Sequence, residues 1–205
     1  MRRAAIVLGT MSLVLLLAGG MALAVTNTGG PGPDALRGTN DRDRLEGGGG
    51  PDSLLGLGAG DCLSGGAGAD ALEGGPGDDL ATGGPGGCGS PLGQERPGES
   101  DVVNGGPGDD IVEGAAGADT VRGGTGADLV ADGENQRGAA DVIYGGGGDD
   151  LMLPRNEPGG RDVVSCGAGR DRVFADRKDE ISRDCERVRF RSPTNAEVID
   201  FISGG

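Results

Sequence analysis

One aliphatic residue recurs every nine positions along the first half of the chain. Leu45, Leu54, Leu63 and Leu72 keep that spacing, and Ala81 follows as a weaker member whose neighbour Leu80 can take its place. An aspartate stands two residues before each of them, at Asp43, Asp52, Asp61, Asp70 and Asp79. Glycines fill the intervals, so that residues 65–73 read GGAGADALE. Such a unit divides into a six-residue turn that ends on the aspartate at position 6 and a three-residue strand centred on position 8. Glycines at positions 1, 2 and 4 permit backbone angles that a side chain forbids and let carbonyl oxygens turn inward. The pattern predicts a succession of very short strands joined by glycine turns.

The period breaks once and then returns. Gly83-Gly84-Pro85-Gly86 starts a unit, but Cys88 stands where its aspartate belongs, and the polar segment GSPLGQERPGES follows. Asp101 restores the frame 22 residues after Asp79, two periods plus four, which reads as one degenerate unit and a four-residue turn insertion. Asp110, Asp119 and Asp128 follow at nine-residue steps, with Val103, Val112, Val121 and Val130 at position 8. Asp141, Asp150, Asp162 and Asp171 continue, paired with Ile143, Met152, Val164 and Val173. Turn insertions are expected near 87–100, 132–140 and 154–161, where extra residues cost little. The repeats thus span 38–174, preceded by a flexible lead-in over 25–37 and followed by a tail over 175–205. In that tail Ile181, Val188 and Phe190 alternate with charged residues and are expected to cap the last coil. Thr194-Asn195-Ala196-Glu197 reads as a capping box opening a short helix with Val198, Ile199, Phe201 and Ile202.

Composition narrows the options. With 47 glycines and 11 prolines in 205 residues, an aperiodic chain would be disordered. Here two residue types obey one period at different phases, which disorder gives no reason for. Three Phe, one Tyr and no Trp leave too little bulky material for a thick core. A net charge of −15 argues against nucleic acid and anionic membranes as partners and for a cation. No histidine is present, which removes the commonest general base and the commonest transition-metal ligand.

The segment GGAGADALE fits the nonapeptide G-G-x-G-x-D-x-U-x, a calcium-binding repeat, at every position. The chain resembles the RTX, or haemolysin-type calcium-binding, repeat family. That resemblance implies an all-β fold, a parallel β-roll (a right-handed β-helix solenoid) in which two units make one coil and calcium sits between turns stacked along an edge. Unit n would stack on unit n+2, placing Asp43, Asp61 and Asp79 on one edge and Asp52 with Asp70 on the other. Asp101 would pair with Asp119, and Asp110 with Asp128. All thirteen position-6 aspartates are the expected ligands of several Ca2+ ions, which take six to eight hard oxygens from carboxylates and carbonyls. Asp78, Asp109 and Asp149, at position 5, are expected to face solvent instead. One buried aliphatic residue per unit offsets only part of the cost of ordering nine residues, and stacked carboxylates repel. Calcium binding and folding are therefore expected to be one event.

Residues 1–24, MRRAAIVLGTMSLVLLLAGGMALA, combine Arg2 and Arg3, an apolar run and an Ala22-Leu23-Ala24 cleavage motif. They read as a secretory signal peptide, with an uncleaved anchor as the alternative. Its removal leaves 16 basic against 33 acidic residues and an extracellular protein without a membrane segment. Four cysteines suit that compartment. Cys166 with Cys185 would staple the tail to the last coils. Cys62 and Cys88 are the remaining pair, and their spacing alone does not show that they meet. Serine and cysteine nucleophiles lack a histidine, and carboxylate pairs such as Asp109-Asp110 are too many and too alike for glycoside hydrolysis. The expectation is a non-enzyme: a secreted calcium-binding repeat protein with a structural or interaction role, its protein or glycan partner left open. The alternative is an accessory substrate-binding module of an extracellular enzyme or adhesion system.

Overall fold

The computed structural model describes residues 23–84, 88, 100–133, 139–154 and 160–203. Most of the segment expected to be a signal peptide and the middles of the three expected turn insertions lie outside these residues. The strands run in chain order as β1 (Thr26–Thr28), β2 (Ala35–Arg37), β3 (Arg44–Gly49), β4 (Ser53–Leu55), β5 (Cys62–Ala67) and β6 (Ala71–Glu73). They continue as β7 (Leu80–Thr82), β8 (Val102–Pro107), β9 (Ile111–Glu113), β10 (Thr120–Thr125), β11 (Leu129–Ala131) and β12 (Val142–Gly147). The last are β13 (Leu151–Leu153), β14 (Val163–Ala168), β15 (Arg172–Phe174), β16 (Glu180–Ile181) and β17 (Arg187–Arg189), before helix α1 (Asn195–Ile202).

All pairing is parallel and skips one strand. The odd-numbered strands form a nine-stranded sheet and the even-numbered ones an eight-stranded sheet. The register follows the repeat, with Leu45 opposite Leu63 and Leu54 opposite Leu72. This is the expected stacking of unit n on unit n+2, and the chain is a β-solenoid of about eight turns. Two thin sheets face each other across one column of side chains. Every position-8 residue from Leu45 to Val173 is buried, Ala81 included. Leu80 does not replace Ala81, because it stands at an outward position of β7 and is exposed. Strand alternation leaves it no access to the column.

The roll begins earlier than the repeats were expected to. The lead-in over 25–37 carries β1 and β2, which pair with β3 and β4. Residues 29–37 read GGPGPDALR, a full unit with Asp34 at position 6 and a buried Leu36 at position 8. The prolines at positions 3 and 5 give it the look of a linker, yet the rest of the template is intact.

The tail closes the other end. Strands β16 and β17 extend both sheets, and Ile181, Cys185 and Val188 pack against the apolar column. Helix α1 forms with the expected capping box between Thr194 and Glu197. It covers a side rather than the end. Val198 and Phe201 lie over Leu151, Leu153 and Phe174 on the outer face of the nine-stranded sheet. Both disulfides are present, Cys166–Cys185 between last coil and cap, and Cys62–Cys88 from β5 to the interrupted region.

Candidate metal centre

The short strands fix where each turn ends, so position 6 falls at the same point of every coil. The carboxylates therefore stack. Along the turns that lead into the nine-stranded sheet, Asp43, Asp61, Asp79, Asp110, Asp128, Asp150 and Asp171 form edge one. Along those that lead into the eight-stranded sheet, Asp34, Asp52, Asp70, Asp101, Asp119, Asp141 and Asp162 form edge two. All thirteen expected residues are buried, none more than 4% exposed.

Each rung is the same hydrogen bond. The backbone N–H of one aspartate donates to Oδ1 of the aspartate one coil later. On edge one the bonds run from Asp43 to Asp61 (2.8 Å), Asp61 to Asp79 (2.6 Å), Asp79 to Asp110 (2.8 Å) and Asp110 to Asp128 (2.9 Å). Asp128 to Asp150 and Asp150 to Asp171 follow at 3.0 Å each. Edge two repeats the pattern from Asp34 to Asp52 (2.8 Å) through Asp70 to Asp101 (2.7 Å) and Asp119 to Asp141 (2.7 Å). Two residues of the tail complete the ladders. Asp162 donates to Asp179 at 3.3 Å and Asp171 to Glu186 at 3.1 Å.

Oδ1 is thus engaged, which leaves Oδ2. In Asp52, Asp61, Asp79, Asp110, Asp128, Asp150 and Asp171 this oxygen is buried with no hydrogen-bond partner among the described residues. A buried ionised oxygen without a partner is costly, and here the same environment recurs along edge one and at Asp52 on edge two. In all but Asp171, whose unit starts on Cys166, this oxygen lies against the position-1 glycine of its own unit, as Asp52 Oδ2 does at Gly47 and Asp61 Oδ2 at Gly56. A methyl group on Gly47 would overlap both Asp52 Oδ2 and the Gly65 carbonyl oxygen, and one on Gly56 both Asp61 Oδ2 and the Gly74 carbonyl oxygen. The glycine keeps open a crevice walled by acceptors. Carboxylate and carbonyl oxygens are the ligand set of calcium, so the donor chemistry fits that ion.

Positions 2 and 4 hold the turn in the left-handed region. Gly66 has φ 108° and Gly68 φ 139°. The unit GLGAGDCLS departs from the template there, and Leu57 (φ 97°) and Ala59 (φ 69°) are held in the same conformation without glycine's freedom.

Electrostatics show what the stack lacks. Burial pushes the Asp79 carboxyl up to about 7, with Asp110, Asp61 and Asp78 adding repulsion against the relief of a backbone hydrogen bond. Burial likewise raises Asp110 to about 6 and Asp128 and Asp150 to about 7, their charged neighbours contributing less. Asp52, Asp61 and Asp171 are raised for the same first reason. Carboxyls raised toward neutral pH are what burial produces, with like charges beside it adding to the effect.

The structure also places residues that the sequence reading passed over. Asp34, Asp179 and Glu186 extend the ladders. Asp34 was legible by stepping nine residues back from Asp43. The two tail rungs were not, because their spacings of 17 and 15 residues break the period. Asp132 stands where other units carry the position-1 glycine, buried, with carboxylate oxygens of Asp132, Asp141 and Asp162 within 4.8 Å of one another. Asp78, Asp109 and Asp149 are exposed as expected. They are not idle, however: Asp78 Oδ1 accepts from Asp109 N–H at 3.1 Å, Asp109 Oδ1 from Ala127 N–H at 2.7 Å and Asp149 Oδ1 from Arg170 N–H at 3.0 Å.

The degenerate unit expected around Cys88 adds no rung. Asp101 stacks on Asp70, and Val102 pairs with Ala71, as though the intervening residues were one excursion. Cys88 has no carboxylate to offer and is bonded to Cys62 instead. All three excursions precede strands of the eight-stranded sheet, so edge one runs without interruption.

A family model, the RTX calcium-binding nonapeptide repeat, matches the chain in four copies at residues 28–61, 55–87, 98–130 and 138–153. Its first copy starts within the segment expected to be a lead-in. Comparison with curated proteins finds no match.

Proposed function

Because the chain belongs to the RTX calcium-binding nonapeptide repeat family, we propose that it is a secreted protein whose solenoid folds as the two carboxylate edges take up calcium. The observation that carries this reading is the recurring buried Oδ2, a charge-bearing acceptor with no donor, beside a backbone carbonyl. Asp43, Asp52, Asp61, Asp70, Asp79, Asp101, Asp110, Asp119, Asp128, Asp141, Asp150, Asp162 and Asp171 would hold the ions, with Asp34 joining them. Calcium supplies the positive charge that the stack lacks. The aspartates order the turns, exclude bulk water from between them and fix each coil's register through Oδ1.

The N-terminal signal and the two disulfides support an extracellular setting. In a chain without histidine the role is binding and structure rather than catalysis. The acidic surface favours neither nucleic acid nor anionic membrane. The test is a calorimetric calcium titration of residues 25–205, followed in parallel by far-UV circular dichroism. Heat of binding accompanied by a gain of β structure supports the reading; a spectrum that calcium leaves unchanged sinks coupled folding.

A further inference from the structure

The head of edge one is not an aspartate. Val25 stands 18 residues before Asp43, at the place that position 6 fills in every later coil, and its backbone N donates to Asp43 Oδ1 at 2.6 Å. The Val25 carbonyl accepts the Arg44 N–H at 2.9 Å, and its side chain packs against the apolar column. Leu23 and Ala24, just before it, are exposed and belong to no strand. Among the described residues the coil therefore starts at Val25, the residue that follows the small-x-small motif Ala22-Leu23-Ala24. A processing pattern in the sequence and the first rung of the ladder meet at one peptide bond.

We propose that the Ala24–Val25 bond is hydrolysed and that the freed α-ammonium of Val25 closes the head of edge one on Asp43. This rests on the secretory reading above. Water adds across the amide, leaving a carboxylate on Ala24 and an amine on Val25 that holds a proton as ammonium. As an amide, Val25 offers Asp43 one neutral donor. As ammonium it offers three donors and a full positive charge, and charge-assisted bonds are the stronger kind. Asp43 accepts from the Thr39 N–H and hydroxyl at Oδ2 and takes the Val25 N–H at Oδ1. It is buried, and the groove beside it holds Asp61, Asp78, Asp79 and Asp109 against Arg42 and Arg44. Inner rungs have a carboxylate on both sides, whereas Asp43 has one only at Asp61. The chain terminus supplies the cation on the side where no further aspartate exists to share one. A cut upstream leaves a neutral amide at this point, and a cut downstream removes the donor itself.

Two measurements test this. Intact mass of the chain recovered from the medium of a secretion-competent bacterial host should correspond to a start at Val25. An exported chain starting elsewhere overturns the proposal and leaves secretion standing, whereas a chain retained in cells with residues 1–24 overturns both. The second measurement does not depend on export. A chain released in vitro with a free Val25 amine is compared with the same chain acetylated at that amine, each titrated with calcium. The acetylated form should need about two- to threefold more calcium at the folding midpoint, and the difference should vanish in an Asp43→Asn background. Equal midpoints, or a difference that persists in Asp43→Asn, overturn the proposal.

Discussion

The N–H of Asp79 donates to the Asp110 carboxylate 31 residues away at 2.8 Å, while the N–H of Asp61 reaches Asp79 only 18 residues away at 2.6 Å. The rung is the same in both. Thirteen additional residues have been looped out of edge two without disturbing edge one, which shows that the ladder, and not the count along the chain, sets the register.

If the rungs bind and order the coils, removing one carboxylate should matter more than removing a nearby exposed one. Asp119 lies between Asp101 and Asp141 on edge two and is 1% exposed. Asp119→Ala deletes a ligand and leaves the Asp101 N–H buried without its acceptor, a loss of about 1–3 kcal/mol from the hydrogen bond alone. The calcium midpoint for folding should rise about tenfold or more. Asp109→Ala loses an exposed bond to Ala127 and should shift it little. Equal shifts would mean that net charge governs folding.

Calcium-free protein should respond to acid in the opposite sense to most proteins. The Asp79, Asp128 and Asp150 carboxyls titrate near 7 in the roll and from the ordinary 3.8 when unfolded. Folded-state values above the unfolded ones give stability that is fully present below the unfolded pKa and is lost as pH rises through about 7. In chelator, β structure measured by circular dichroism should therefore grow as pH falls from 8 toward about 4. Calcium binding near pH 6 should release protons, visible as a dependence of calorimetric heat on the buffer's ionisation enthalpy. No such dependence would contradict the raised values.

Leu57 and Ala59 offer a gain of stability. Both occupy left-handed conformations that cost a non-glycine residue about 1–2 kcal/mol. Ala59→Gly should stabilise the calcium-loaded protein by about 1 kcal/mol, since glycine's greater unfolded-state entropy takes back part of the relief. The reverse change, Gly66→Ala, adds a methyl group against the Gly48 carbonyl at φ 108° and should destabilise it. Thermal unfolding at fixed calcium reads both, and a neutral result for Gly66→Ala would show that the turns can spread.

Most of the fold was legible because the repeat writes position 6 and position 8 with different chemistry. Aspartate and aliphatic residues two apart disclosed the strands, and the resemblance to the repeat family implied the skip-one stacking and the columns of aspartates. What stayed hidden departs from the local template. Asp34 was masked by prolines in its turn. Asp179 and Glu186 reach the ladder from the cap, where backbone path rather than period places them. Asp132 replaces a glycine, a substitution that reads as damage until the fold shows it facing Asp141 and Asp162. Cys62 and Cys88 could not be matched from spacing, because what brings them together is the excursion itself.

Opening the Cys166–Cys185 bridge should loosen the cap before the roll. Cys166 sits buried at position 1 of the last unit, and Cys185 lies between β16 and β17. A closed loop of this size contributes about 3 kcal/mol by restricting the unfolded chain. Cys166→Ser with Cys185→Ser should lower the thermal midpoint and raise amide exchange first in residues 180–189. Uniform exchange across all coils would show that cap and roll open together.

Every rung points the same way along the chain. Each coil gives its N–H to a carboxylate that the polypeptide supplies only one coil later. A chain made from its N-terminus therefore exposes donors long before their acceptors exist, and no coil is finished until its successor has arrived. The ladder is a one-way ratchet in time: each new coil seals the one made before it, and the last-made coils wait for Asp179 and Glu186 of the cap to accept their N–H groups.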